Sequence, residues 1–131
     1  MLAHGGRALI VNVTSGGAYI PQVFAPVYSA CKAALHSYTV TLRHALAGTN
    51  CRVVELVPPA VRTALAGPAT HGADLAEFCD TVYPQLLRME VNEVGFGPTK
   101  DIQRYSAAEL MAMFAAAAAR NPVPTYARDA E

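Results

Sequence analysis

The chain has no tryptophan, only two lysines (Lys32 and Lys100), and only 15% charged residues in its 131. Its ten basic and ten acidic side chains cancel, and the basic ones are scattered singly. Nothing here would draw in a nucleic-acid backbone or an anionic membrane surface. No apolar run reaches the ~20 residues needed to span a bilayer. Met1 to Arg7 has no charged segment followed by an apolar core, so it does not read as a secretory signal. The three cysteines, Cys31, Cys51 and Cys79, are odd in number and form no Cys-x-x-Cys pair. Reduced, partly buried thiols in a cytoplasmic protein are expected, with Cys31 packed and not a nucleophile. The four histidines offer no His-x-x-x-His or His-Glu-x-x-His arrangement, so no metal site is expected. A serine-hydrolase elbow fails at Ser15, because Val13 stands where the first glycine of Gly-x-Ser-x-Gly is needed.

What is present is an apolar interior: 53% of residues are hydrophobic, slightly above the ~45–50% of ordinary globular chains. Arg7-Ala-Leu-Ile-Val-Asn-Val13 is a nearly all-apolar run, as in a parallel strand buried on both faces. Val27 to about Ala47 holds no glycine or proline and predicts a helix stopped by Gly48. Cys51 to Val57 is a second apolar strand, halted by Pro58-Pro59. Strand, helix and strand in that order predict a crossover unit in a parallel sheet. Ala73 to Arg88 reads as a helix that Pro84 should bend or end. Glu90 to Phe96 reads as a short edge strand. Ser106-Ala-Ala-Glu109 has capping-box spacing and opens an Ala-rich helix to about Ala119, expected to dock on the fold and not to anchor in a membrane.

Tyr28 and Lys32 lie four residues apart at the start of the long helix, which makes them neighbours on one face. A free phenol titrates near pH ~10, and a fixed cation beside it favours the phenolate. Ser15 precedes Tyr28 by thirteen residues and falls at the carboxyl end of the first strand, where open α/β sheets bind their ligands. Its hydroxyl could polarise a carbonyl while Tyr28 moves the proton. On spacing alone, an ordinary surface pair of Tyr28 with Lys32 fits as well.

The stretch Ile10-Val-Asn-Val-Thr-Ser15-Gly-Gly, followed by Pro26-Val-Tyr28-Ser-Ala-Cys-Lys32-Ala-Ala-Leu, resembles the short-chain dehydrogenase/reductase family. The resemblance continues through Val53-Val-Glu-Leu-Val-Pro58-Pro59-Ala-Val61-Arg-Thr63 and covers roughly residues 7–115. It implies that Tyr28 is the general acid/base, that Lys32 holds the nicotinamide ribose and tunes Tyr28, and that Ser15 orients the substrate. It also sets Pro58, Val61 and Thr63 beside the cofactor, with the threonine on the nicotinamide carboxamide. Pro59 departs from the family's usual glycine, and a subgroup found with teichoic-acid D-alanylation genes looks similar at this Pro-Pro. The implied activity is hydride transfer between NAD or NADP and an alcohol or carbonyl substrate.

The family's opening strand, Thr-Gly-x-x-x-Gly-x-Gly turn and helix have no counterpart in these residues. Gly5-Gly6 precedes a strand instead of following one, and Gly95-Phe-Gly97 runs into Pro98. Nor is Asn12, inside the first strand, the equivalent of the family's catalytic asparagine. The fold expected is therefore a truncated Rossmann-like, doubly wound parallel α/β sheet without the nucleotide-binding strands. Residues 1–119 would form its C-terminal portion and 120–131 a loose tail. Dinucleotide binding by this chain alone is in question, and an inactive relic or interaction module is the alternative. The first strand should show an open edge, and the helix from Val27 should be available for pairing with a second copy.

Overall fold

The computed structural model describes residues 5–64, 71–88 and 90–123. Its elements run β1 (Ala8–Val13), α1 (Pro26–Ala45), β2 (Cys51–Val57), α2 (Leu75–Arg88), β3 (Glu93–Gly95) and α3 (Ala107–Arg120). The strands form one parallel sheet in the order β1-β2-β3, with Ala8 opposite Cys51 and Val13 opposite Leu56. The expected parallel crossover unit is present, and β1 has no strand on its other edge among the described residues.

Strand β2 is the centre of the sheet and is covered on both faces. Val54 packs with Val82 of α2 and Val94 of β3 in a buried cluster that Leu56, Phe78 and Phe96 extend. Phe78 and Phe96 meet edge to face with centroids 5.6 Å apart, a favoured aromatic geometry. On the opposite face Val53, Glu55 and Val57 are buried, with α1 above them, as Arg43 Nε donating to the Val53 carbonyl at 3.1 Å shows. Two-sided burial is what a largely apolar run requires.

The turn chemistry holds where a residue has a specific job. Gly48 closes α1 with φ of 80°, a conformation costly for any side chain. Ser106 caps α3: its Oγ accepts from the Glu109 amide at 3.3 Å, and its own amide donates to Glu109 Oε2 at 2.7 Å. Of the two outcomes expected at Pro84, a bend or an end, the end does not occur: helix α2 runs through Pro84 to Arg88, although an interior proline forfeits one helical hydrogen bond and crowds the preceding turn. Its apolar stripe, Phe78, Val82 and Leu86, packs against the core on both sides of that residue and outweighs the loss. Cys31 and Cys79 are exposed, not partly buried; only Cys51 is buried. The edge strand is also shorter than expected, three residues from Glu93 to Gly95. Most of the expected tail, residues 124–131, lies outside the described residues.

Candidate active site

The chain continues past β1 in extended form, with the Thr14 amide donating to the Leu56 carbonyl at 2.8 Å and Gly16 to Pro58 at 3.4 Å. Ser15 is thereby carried to the carboxyl end of the sheet, as the sequence predicts. A short 3-10 turn over Gly16–Ala18 follows, and the Gly17 amide donates to Ser15 Oγ at 3.1 Å. That bond uses an acceptor position of the hydroxyl and leaves its O–H free to donate. No described residue accepts it.

Helix α1 presses on this turn. Ser29 is buried and its Oγ accepts from the Gln22 amide at 2.9 Å, which pins the connecting loop to the helix start. The approach is close enough that a methyl at Gly17 would stand 3.3 Å from Ser29 Oγ, 3.5 Å from Ser15 Oγ and 3.6 Å from Tyr28 Cε1. Ser15 and Tyr28 thus border the same small space, which only glycine leaves open. Lys32, one turn along α1, sets its Nζ 5.6 Å from the centre of the Tyr28 ring and donates to the Val13 carbonyl at 2.9 Å. The three predicted residues are brought together. Tyr28 is 45% exposed, so the site is open and not enclosed.

Of the other predicted positions, Pro58 borders a cleft of about 230 Å³ that starts at Ser15 and is walled by Pro59 and Ala60, the loop from Ile20 to Phe24, and the end of α3. Val61 forms an isolated bridge with Ala73. Thr63 is exposed. Neither of these two lines the cleft. Asn12, set aside as a catalytic asparagine, donates from Nδ2 to Thr39 Oγ1 at 3.0 Å beneath α1.

A half-buried polar cluster centred on the buried Glu55 lies behind the turn, and nothing in the sequence analysis anticipates it. Glu55 Oε2 lies 2.8 Å from His36 Nδ1, and Glu55 Oε1 accepts from Thr14 Oγ1 at 2.7 Å. The Tyr19 hydroxyl donates to Glu93 Oε2 at 2.5 Å and lies 3.1 Å from His36 Nδ1. Thr14 and Tyr19 flank Ser15 and its turn, so the cluster ties both ends of that turn to the sheet. A signal was available: Glu55 interrupts a strand buried on both faces, and a carboxylate there must find partners. Burial first, and then the bond to Glu93, pushes the Tyr19 phenol above its ordinary range. Burial chiefly, with the Glu55 charge adding to it, raises Glu93 above its ordinary 4.5, against the opposing pull of the Tyr19 bond, His36 and Arg43.

That shift has a sign that can be checked. A carboxyl raised in the folded state contributes stability that is complete below its unfolded value and is lost as pH rises through its folded one. From pH 4.5 upward toward neutrality, the parent should therefore lose stability that Glu93→Gln keeps, since the amide still accepts from Tyr19 and never ionises. Urea unfolding of both proteins across that interval measures the difference. Parallel curves would show that the fold does not raise the Glu93 carboxyl.

Comparison with known proteins follows the same outline. A model of the family described as short chain dehydrogenase matches residues 1–74. The uncharacterized oxidoreductase DltE of Bacillus subtilis is 55% identical over 59 residues, 45% of this chain and 23% of that protein. An uncharacterized oxidoreductase of Staphylococcus saprophyticus is 35% identical over 96 residues, 68% of this chain and 41% of that protein. Among solved structures, a short chain dehydrogenase from Burkholderia cenocepacia J2315, in complex with NADP, superposes with a TM-score of 0.68 at 27% identity. It is covered over 50% of its length by 89% of this chain. The chain thus spans half or less of each of these relatives.

Proposed function

The chain belongs to the short chain dehydrogenase family, and from that premise we propose that it carries the proton-transfer machinery of an NAD- or NADP-dependent oxidoreductase acting on an alcohol or carbonyl compound. The observation that carries the reading is the meeting of Ser15 and Tyr28 at Gly17 by the carboxyl end of β1, with Lys32 over the Tyr28 ring. Each has a separate task. The free O–H of Ser15 donates to the substrate carbonyl oxygen and fixes its position. The Tyr28 hydroxyl delivers the proton to that oxygen in reduction, or takes it from an alcohol in oxidation. The Lys32 ammonium, held by the Val13 carbonyl, stands over the Tyr28 ring and is placed to hold the cofactor's ribose.

The residues present suit a nicotinamide cofactor. Among the described residues one of the three Lys32 N–H donors is used, which leaves two for ribose hydroxyls, and Thr63 is exposed for a polar contact. When bound, the cofactor supplies or accepts the hydride. The solved relative from Burkholderia cenocepacia, held with NADP, supports this choice. The variant that tests the assignment is Tyr28→Phe, which keeps the ring beside Gly17 and removes only the transferable proton.

A second reading, an interaction module that binds no dinucleotide, draws on the large apolar side chains exposed along the long helix. Val27 and Tyr38, exposed on the outward face of α1, mark the surface on which two copies would pair. A reducing, cytoplasmic setting is proposed from three free cysteines. No helix among the described residues is long and apolar enough to cross a membrane.

A further inference from the structure

The cleft in front of Ser15 has a chemistry of its own. Among the described residues, none that lines it is Asp, Glu, Lys, Arg or His. Its walls are Ile20, Val23 and Phe24 on one side, Pro59 behind, and Ile102 with Ala117 opposite. The few polar groups there are partly committed: Thr99 Oγ1 donates to the Val57 carbonyl at 2.5 Å, and Asn121 Nδ2 donates to Ala117 at 3.0 Å. Moving an ion into such a space strips its water and returns no counter-charge. A volume of about 230 Å³ also falls short of the ~300–1,000 Å³ that holds drug-sized ligands. Phe24, 66% exposed at the mouth, is a large apolar surface that a bound apolar ligand would cover.

We propose that this cleft takes an uncharged, compact, predominantly apolar carbonyl compound, with its oxygen at Ser15 and its hydrocarbon body against Phe24 and Ala117. The end of α3 is then the wall that limits substrate size, because the methyl of Ala117 occupies a place where any larger side chain would fill the cleft. The exclusion of charge follows from the lining and not from shape, so a ligand of equal size bearing a carboxylate is rejected.

The proposal rests on the oxidoreductase reading for its choice of a carbonyl probe, but binding requires neither cofactor nor turnover. The test is a nuclear magnetic resonance titration of the isotopically labelled chain with cyclohexanone and, separately, with 4-oxocyclohexanecarboxylate. Cyclohexanone should shift the Ser15, Phe24 and Ala117 amides saturably, and the carboxylate should bind at least about tenfold more weakly. Ala117→Phe should abolish the cyclohexanone shifts. Phe24→Ala, at an exposed position that cannot threaten the fold, should weaken binding several-fold. Equal or tighter binding of the carboxylate, shifts confined to other residues, no shifts at all, or undiminished binding by both variants would overturn the inference. Cyclohexanone bound by a protein that transfers no hydride would sink the oxidoreductase reading and leave the cleft's chemistry standing. Hydride transfer to charged ketones alone would do the reverse.

Discussion

Replacing Tyr28 by phenylalanine should lower kcat for carbonyl reduction by about 10²–10⁴-fold, the usual contribution of a positioned general acid. KM should stay near the parent value. The split follows from geometry: Ser15 borders the cleft, whereas Tyr28 does not line it. Phenylalanine keeps the ring that stands beside Gly17 and beneath the Lys32 ammonium, so the arrangement survives while the proton is lost. Tyr83→Phe, on an exposed position of α2, serves as the control and should match the parent. Steady-state kinetics on the three proteins decides it. A Tyr28→Phe protein turning over at the parent rate would remove Tyr28 from the chemistry.

The second large effect is on the fold that holds the site. Gly95→Ala should destabilise the protein by about 1–3 kcal/mol or more, as overfilled cores do. For a chain of this size that lowers Tm by roughly 4 °C per kcal/mol. A β-carbon at Gly95 would overlap the Thr99 carbonyl, a backbone group with no freedom to swing aside. Thr99 is itself fixed, with its hydroxyl on the Val57 carbonyl at 2.5 Å and receiving the Phe96 amide at 3.1 Å. Its methyl would stand 3.0 Å from a β-carbon at Gly16, so displacing Thr99 also disturbs the turn beside Ser15. Thermal melting followed by circular dichroism reads the loss. An unchanged Tm would mean that the β3 end is not packed as described.

Both effects involve residues whose legibility in the sequence differed sharply. Strand β2 could be read to its last residue, since a β-branched run ending at Pro58 has one reading in a parallel sheet. The capping box at Ser106 was equally plain, because its two bonds are local. Ser15, Tyr28 and Lys32 were legible through resemblance, and the spacing of the pair on α1 was legible through helix periodicity. The anchor of Lys32 on Val13 was not, because nothing in sequence separation reveals a contact between a helix and a strand end. The same holds for Gly95, whose neighbour Thr99 reaches back only because the 3-10 turn over Gly97–Thr99 folds it there.

The polar cluster was the largest omission. Tyr19, His36, Glu55 and Glu93 come from the turn region, α1, β2 and β3, and apart from Glu55 each alone resembles an ordinary surface residue. Only the pleat of β2, which turns Glu55 toward α1, brings its carboxylate within 2.8 Å of His36. Pro84 failed as a helix stop for the complementary reason: local propensity is weak against an apolar stripe packed on a sheet. Where tertiary packing supplies the partner, local rules lose.

The most direct test of the account is transfer of label. The protein purified from the cells that make it would be incubated with cyclohexanone and with NADH or NADPH deuterated at the transferable position. Cyclohexanol carrying deuterium on its carbinol carbon is expected, and is lost in the Tyr28→Phe variant. A folded protein that yields no labelled alcohol from either cofactor, with this or other uncharged ketones, would contradict it.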